Sequence, residues 1–272
     1  MMSKGVSGID FRECVSLPRQ RIRDDLLNWM PIDSMTRNLV LPAAIIFDMD
    51  GVLVDSNPFH LRKWIDFFQA HGIPFDEQEL PKIVLGPPND VTFRRYLGED
   101  LTCEQLAEFG EELEANFRRE IGPYVRAFPG VRRFIEECHT QGIAMAVASA
   151  AIAKNLNFLI SALGLPAYFR EVLAVDEISH PKPNPEIYLK TADKLGVNPA
   201  ACAVFEDSFV GIAAAKRAGM KCVAIASTFS AEDLRRETHA DLIVPSFEAV
   251  SLQTLRHLFN SAGASRGTRV PS

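Results

Sequence analysis

Two aspartates one residue apart end a short apolar run in the stretch Ala43-Ala44-Ile45-Ile46-Phe47-Asp48-Met49-Asp50-Gly51-Val52. An apolar run of this length fits a strand that is covered on both faces, as in a parallel sheet. Side chains two positions apart on a strand point to the same side, so Asp48 and Asp50 can share one site. A carboxylate can attack phosphorus and form an aspartyl-phosphate, while a second one serves as general acid and base. Asp48 is therefore the candidate nucleophile and Asp50 the candidate proton donor, although a strand followed by an ordinary Asp-Gly turn explains this stretch alone equally well.

Three further strand ends carry residues that suit the same chemistry. Ser149 and the pair Glu206 and Asp207 directly follow predicted strands, and Lys182 follows another strand after a loop. Taken singly, Ser149 is typical of a helix cap and Lys182 of a solvated loop, and the acidic pair is typical of a capped turn. Parallel strands, however, place their carboxyl ends along one edge of the sheet. The joint occurrence of these residues therefore favours a single site.

Several carboxylates beside an incoming phosphate would repel it, so the sequence predicts a divalent cation among them. Hard oxygen ligands favour Mg²⁺. The predicted ligands are the side chains of Asp48 and Asp207 and the main-chain carbonyl of Asp50. Glu206 is expected to reach the ion through water, because Mg²⁺ usually retains several waters. Lys182 supplies the balancing positive charge.

A helical insertion interrupts the predicted sheet. Between Gly72 and Pro129 apolar residues recur at three- and four-residue spacing without a convincing strand. A helix start at Asp55-Ser56-Asn57-Pro58, with capping side chains and an early proline, precedes it and leads into a helix that runs to about Ala70. We predict a small helical domain over the strand ends, residues 57–127, and call it the cap. Its apolar positions include Phe93, Tyr96, Leu97, Leu106, Phe109, Leu113 and Phe117.

The rest of the chain alternates amphipathic helices with short apolar strands, which predicts an α/β fold with a parallel sheet. The predicted core comprises residues 41–56 and 128–260, with the cap inserted between them. Residues 1–40 are predicted to be an N-terminal extension and residues 261–272 a tail. The later strands are expected at Ile143–Ala148, Val172–Val175, Ala201–Phe205, Lys221–Ala226 and Leu242–Val244.

Two further roles complete the predicted chemistry. Ser149 and the backbone N–H of Ala150, at the expected start of the next helix, can donate to the phosphoryl oxygens. Asp50 needs a pKa above the ordinary ~3.9 of an aspartate to hold its proton as an acid. The dry surroundings of a closed cap would raise that pKa.

Composition narrows the class of protein. The chain has 272 residues, 47% of them hydrophobic, and a net charge of -6. It therefore lacks the basic footprint of a nucleic-acid-binding protein, and no apolar run approaches the roughly 18 to 20 residues that a membrane span needs. We expect a cytoplasmic monomer that acts on a small phosphorylated metabolite. The cysteines, odd in number and without a C-x-x-C pair, agree with an intracellular protein: Cys14, Cys103, Cys138, Cys202 and Cys222.

The motifs together closely resemble the haloacid dehalogenase superfamily over residues 41 to about 250, and the cap resembles that of the beta-phosphoglucomutase-like and sugar-phosphatase branch. The resemblance implies a Rossmann-like core, Mg²⁺ dependence and an aspartyl-phosphate intermediate on Asp48, with Asp50 as acid and base. Asp50 argues against dehalogenase activity, because family dehalogenases lack an acid there. The motifs are Asp48-Met49-Asp50-Gly51-Val52-Leu53-Val54-Asp55-Ser56, Ala148-Ser149-Ala150, Lys182-Pro183-Asn184-Pro185-Glu186, Phe205-Glu206-Asp207-Ser208 and Gly211 to Gly219.

The first cap helix carries His60 and Trp64, one turn apart, where the mutase of that branch carries a His and a Trp near its active site. Both are candidate substrate-binding residues. We expect His60 to orient Asp50 or a substrate hydroxyl. A helical tryptophan is more often a core residue, which is the alternative for Trp64.

Two features of the mutase cap are missing from the sequence. Its arginine for the second phosphate would fall near Asn89, a candidate substrate-binding position here, and its cap lysine near Leu113. Arg94 and Arg95 could compensate from the next turn. A mutase must hold a bisphosphate at both ends, whereas a phosphatase holds one phosphate. The sequence therefore predicts a Mg²⁺-dependent phosphatase, with a hexose-phosphate mutase and a non-catalytic phosphometabolite-binding protein as alternatives.

Overall fold

The computed structural model describes residues 40–85 and 88–260. Apart from Val40, the predicted N-terminal extension lies outside these residues, and so do the predicted tail and Cys14. Among the residues described, no helix combines the length and the apolarity that crossing a membrane requires.

Six parallel strands form the sheet, in the order β3-β2-β1-β4-β5-β6. This is the order of a Rossmann-like doubly wound sheet, as predicted. β1 lies at the centre, where Ile45 stands opposite Met145 of β2 and Ala203 of β4. The strands are β1 (Ala44–Phe47), β2 (Ala144–Ala148), β3 (Glu171–Leu173), β4 (Cys202–Glu206), β5 (Lys221–Ile225) and β6 (Leu242–Val244).

The apolar run of β1 is buried on both faces because side chains alternate along a strand. Ala44 and Ile46 join the hydrophobic cluster on one face of the sheet. Ile45 and Phe47 join the cluster on the other face. Helices cover both clusters: α5 (Val131–Thr140), α6 (Ala153–Ala162), α7 (Glu186–Leu195), α8 (Phe209–Arg217), α9 (Ala231–Glu237) and α10 (Leu252–Asn260).

The inserted cap is helical, as predicted, and has a hydrophobic cluster of its own that includes Trp64, Phe93 and Leu113. Phe117 and Ile121, near the end of the last cap helix, pack instead into a core cluster. The residue limits predicted for core and cap therefore stay a prediction. The cap helices are α1 (Asn57–Ala70), α2 (Leu80–Val84), α3 (Asn89–Leu97) and α4 (Cys103–Ile121).

The strand ends fall close to their predicted positions. The main difference is β3, which ends at Leu173, two residues before the predicted end. Val175 instead begins a short 3-10 turn that runs to Glu177. All six strands still end along one edge of the sheet, because every strand pairing is parallel.

Candidate active site

A cavity of about 370 Å³ lies at this edge of the sheet, between the core and the cap. Its lining contains every site residue that the sequence predicts except Trp64. The core contributes Asp48, Asp50, Ser149, Ala150, Lys182, Glu206 and Asp207, and the cap contributes His60 and Asn89.

Lys182 joins two carboxylates at the bottom of the site. Its Nζ donates to Asp48 Oδ1 and to Glu206 Oε1, both at 2.7 Å. Burial raises the pKa of Asp48 from 3.8 to about 7, although Lys182 counteracts the increase. Burial would lower the pKa of Lys182, but Asp48 and Glu206 outweigh it, so the lysine pKa is raised. Lys182 is therefore a fixed positive charge beside the predicted nucleophile.

Glu206 is fully buried and has donors at both oxygens. Oε1 accepts from Lys182 Nζ and from the Tyr188 hydroxyl, the latter at 2.8 Å. Oε2 accepts from the backbone N–H groups of Asp207 and Ser208 and from the Ser208 hydroxyl, each at 3.0 Å. Burial would raise the pKa of Glu206, but Lys182 and these donors keep it below its usual value. Glu206 therefore contacts Lys182 directly, and its predicted contact with the metal ion through water stays a prediction.

Asp207 keeps one oxygen available to a ligand. Its Oδ2 accepts from the Thr228 hydroxyl and, at 3.4 Å, from Asn57 Nδ2. Within residues 40–85 and 88–260, no hydrogen bond reaches Oδ1. Burial raises the pKa of Asp207 well above its usual value, and repulsion from Glu206 and Asp48 adds to the increase. Sequence reasoning missed Thr228 and Asn57, because nothing in their local patterns ties them to Asp207.

The distribution of charge fits a divalent cation. Asp48, Glu206 and Asp207 are buried carboxylates, and the Lys182 ammonium bonds Asp48 and Glu206. In the described part of the chain, no cluster of three His, Cys, Asp or Glu side chains could hold a metal. The predicted ligand set does not need one, because it consists of two side chains and the main-chain carbonyl of Asp50. Mg²⁺ accepts such a set and completes its shell with water.

Asp50 is held as a carboxylate. Its Oδ1 accepts from Ser56 Oγ at 2.5 Å and lies 2.9 Å from His60 Nε2. Burial would raise the pKa of Asp50, but His60 and Ser56 outweigh it and lower that pKa. The prediction of a raised pKa is therefore wrong for this arrangement. The Ser56 side chain makes no capping hydrogen bond to α1, and its hydroxyl donates to Asp50.

His60 and Trp64 have different surroundings although they lie one turn apart. The His60 ring stacks on Phe117 at a centroid distance of 4.1 Å and reaches Asp50 with Nε2. Trp64 is 1% exposed and packs against Phe93 in the cap cluster. His60 thus connects the cap to the loop that carries Asp50. Trp64 is buried inside the cap, and its predicted position at the cleft is wrong.

Ser149 lies at the end of β2, as predicted, and is 1% exposed. Its Oγ accepts from the backbone N–H of Ala151 at 3.2 Å. Ala150 lines the cavity, but α6 begins only at Ala153. The prediction that the Ala150 N–H starts a helix is therefore wrong: it belongs to the loop before the helix.

A second polar group, which we call the cavity-wall cluster, consists of Lys63, Asn89, Glu114 and Asn155. Glu114 Oε1 accepts from Lys63 Nζ and Asn89 Nδ2, and Oε2 accepts from Asn155 Nδ2, each at 2.6 Å. Burial would raise the pKa of Glu114, but Lys63 and His60 lower it. All four residues line the same cavity. Sequence reasoning missed three of them, although Lys63 follows His60 by three positions and so lies on the same helical face.

Lys63 is a cap cation that lines the cavity, and it lies on the first cap helix rather than near Leu113. Arg94 and Arg95 do not take this role. Arg94 Nη1 donates to the carbonyl of Glu99 at 2.6 Å, and the Arg95 guanidinium lies over the Tyr96 ring. Neither arginine lines the cavity.

Residues 45–225 match the profile of a family described as haloacid dehalogenase-like hydrolase. This chain belongs to that family. Among its relatives, protein CbbY of Rhodobacter capsulatus is 30% identical over 224 residues, which cover 79% of this chain and 98% of that protein. The fructose-1-phosphate phosphatase YqaB of Escherichia coli (strain K12) is 34% identical over 185 residues, which cover 66% and 95%.

The fold agrees with this membership of the haloacid dehalogenase family. The crystal structure of beta-phosphoglucomutase (pgmB) from Clostridium difficile superposes with a TM-score of 0.73 at 24% identity, covering 82% of this chain and all of that one. The predicted superfamily and branch are thus confirmed. The named phosphatase relatives also confirm the predicted class of enzyme, a phosphatase of the haloacid dehalogenase type.

Proposed function

We propose that this enzyme is a Mg²⁺-dependent phosphatase that hydrolyses a small phosphorylated metabolite through an aspartyl-phosphate on Asp48. The observation that supports this most is the buried Asp48–Lys182–Glu206 arrangement, with contacts of 2.7 Å, at the edge of a cavity that also holds Asp50 and His60. It combines a nucleophile, a fixed charge and a proton-transfer pair at one place.

In the first step, a carboxylate oxygen of Asp48 attacks phosphorus and the bond from phosphorus to the ester oxygen breaks. The leaving oxygen takes a proton from the Asp50–His60 pair. Because Asp50 Oδ1 lies 2.9 Å from His60 Nε2 and its pKa is lowered, we assign this proton to the Asp50–His60 pair rather than to Asp50 alone.

In the second step, a water molecule attacks the phosphorus of the aspartyl-phosphate and gives its proton to Asp50. Inorganic phosphate leaves and the Asp48 carboxylate is restored. In this proposal the Ser149 hydroxyl and the Ala150 N–H donate to the phosphoryl oxygens. Mg²⁺, when bound by Asp48, Asp207 and the Asp50 carbonyl, would offset the charge of the carboxylates and of the phosphate.

The substrate is proposed to be a phosphorylated carbohydrate. This rests on the names of relatives, among them the fructose-1-phosphate phosphatase of Escherichia coli and a phosphorylated carbohydrates phosphatase of Thermotoga maritima. A cytoplasmic monomer without nucleic-acid or membrane partners stays a prediction.

Phosphate release tests the proposal. Purified enzyme should release phosphate from 4-nitrophenyl phosphate with Mg²⁺ and stop when EDTA is added. Asp48→Asn should abolish release, because an amide oxygen is a poor nucleophile. Asp193→Asn, at an exposed position of α7, is the matched control and should keep wild-type activity. Release without metal, or by Asp48→Asn, would contradict the proposal.

A mutase would also depend on Asp48. It is distinguished by conversion of β-glucose 1-phosphate to glucose 6-phosphate in the presence of a priming bisphosphate. We expect phosphate release to be the faster reaction, because Glu114 already neutralises the Lys63 ammonium in the cavity wall and neither Arg94 nor Arg95 lines the cavity to hold a second phosphate.

A further inference from the structure

The cavity-wall cluster faces the same cavity as the catalytic carboxylates, but the proposed chemistry does not use it. Its ion pair lies next to His60, because Lys63 and His60 contact the same aromatic ring. His60 stacks on Phe117, and one turn further along α1 the Lys63 ammonium lies 5.1 Å from the same ring and bonds Glu114. The cluster is therefore a polar wall one helical turn beyond the Asp50–His60 pair.

This wall presents donors and acceptors side by side. The Lys63 ammonium carries three donors, and only the one to Glu114 is used within the described residues. The Asn89 side-chain oxygen accepts no hydrogen bond from the part of the chain that the structure describes. The charges of Lys63 and Glu114 cancel. A neutral hydroxyl group, which both donates and accepts, matches such a surface.

Stability alone is a weak reason for this ion pair. Lys63 and Glu114 are each 5% exposed, and burying an ion pair costs desolvation that its attraction often fails to offset. Asn155, on core helix α6, is held in place by cap helix α4, because its Oδ1 accepts from Arg118 Nη1 at 2.7 Å. Its side-chain nitrogen is thereby directed to Glu114. The cluster is thus pre-organised on both sides of the cavity, as a binding site requires.

We propose that the cavity-wall cluster binds hydroxyl groups on the carbon skeleton of the substrate while the Asp48 site holds its phosphate. This inference rests on the proposed function and deepens it. The substrate class is a monophosphate ester of a sugar or polyol. A bisphosphate is disfavoured, because the charge of the Lys63 ammonium is already balanced by Glu114 and so does not compensate a second phosphate.

The test is a double variant, Lys63→Met with Glu114→Gln, which removes both charges and leaves neither unpaired. The control is Arg62→Met with Asp66→Asn, an exposed ion pair of 2.8 Å on the same helix. The measured quantity is the ratio of kcat/KM for a hexitol monophosphate to kcat/KM for 4-nitrophenyl phosphate. The double variant should lower this ratio about tenfold or more, on the order of 1.4 kcal/mol, and the control should not change it.

An unchanged ratio in the double variant would overturn the inference, and so would equal losses on both substrates. A wild-type preference for a hexose bisphosphate would overturn it as well. If the wild type releases phosphate from no ester, the proposed function fails separately. Calorimetry with the hexitol monophosphate then tests whether the cavity-wall cluster binds it. Binding at least about tenfold weaker in the double variant supports the inference, and equal binding refutes it.

Discussion

The charge on Asp48 is the central residue-level feature of this enzyme. Asp48, Glu206 and Asp207 are all buried, and Lys182 balances only part of their charge. Glu206 is satisfied by five donors, so the excess charge resides on Asp48 and Asp207. Burial raises the pKa of both carboxyl groups, and repulsion from neighbouring carboxylates adds to the increase.

Metal-free protein should lose stability as the pH rises from 3.8 to about 7. Over that range the folded state keeps a proton on Asp48 that the unfolded state has released, so stability falls with pH. Asp48→Asn removes this titration. The Tm of the variant, measured in EDTA across the range, should therefore fall less steeply than that of the wild type. Parallel slopes would show that Asp48 does not titrate there.

His60 allows packing and proton transfer to be separated. His60→Phe keeps the ring stacked on Phe117 but removes the nitrogen that lies 2.9 Å from Asp50 Oδ1. We expect kcat/KM to fall about tenfold or more, mainly through kcat, with little change in Tm. His60→Ala should lower both kcat/KM and Tm, because it also removes the stacked ring. If His60→Phe keeps full kcat/KM, His60 is only a packing residue.

At the level of elements, the turn after β1 depends on a glycine. Gly51 has φ +77°, and a Cβ there would lie 1.9 Å from Asp207 Oδ2. Gly51→Ala should displace Asp207 and raise the Mg²⁺ concentration for half-maximal activity about tenfold or more, the loss of one good ligand contact. The matched control is Gly72→Ala, with φ +66° and no atom within 4 Å of the added Cβ. An equally raised Mg²⁺ requirement in both variants would mean that backbone strain at a positive φ, and not the contact with Asp207, causes the increase.

Most elements of the core could be predicted from the sequence, because buried parallel strands are continuous apolar runs. The Ala44–Phe47 strand and its two following aspartates are the clearest case. The start of α6 at Ala153 could not be predicted, since no capping side chain marks it. The 3-10 turn at Val175 could not be predicted either, because the apolar side chain of Val175 continues the pattern of the strand before it.

The site was predictable only where it depends on strand ends. Lys63 and Glu114 are 51 positions apart, and their pairing depends on how two cap helices pack, which periodicity does not specify. The Ser56 hydroxyl is typical of a helix cap by position, but in the structure it donates to the nearby Asp50 carboxylate, a strong acceptor. Local patterns thus identified the candidate catalytic groups, and tertiary packing determines what surrounds them.

For the molecule as a whole, the core and the cap contribute different groups to the same cavity. The sheet edge holds the residues proposed for phosphate chemistry, and the cap contributes Lys63, Asn89 and Glu114 to the opposite wall of the cavity. α4 connects the two, because Leu113 belongs to the cap cluster and Phe117 to a core cluster. Substrate preference should therefore change with cap substitutions, while dependence on Asp48 should not.

The most direct test of the central claim is to look for the phosphoryl group on Asp48. Enzyme mixed with Mg²⁺ and substrate is quenched in acid within the first turnover, digested and analysed by mass spectrometry. We predict one phosphoryl group on the peptide that contains Asp48, released by hydroxylamine and absent from Asp48→Asn. Phosphate release without a phosphorylated enzyme, or with the phosphoryl group on another residue, would contradict this account.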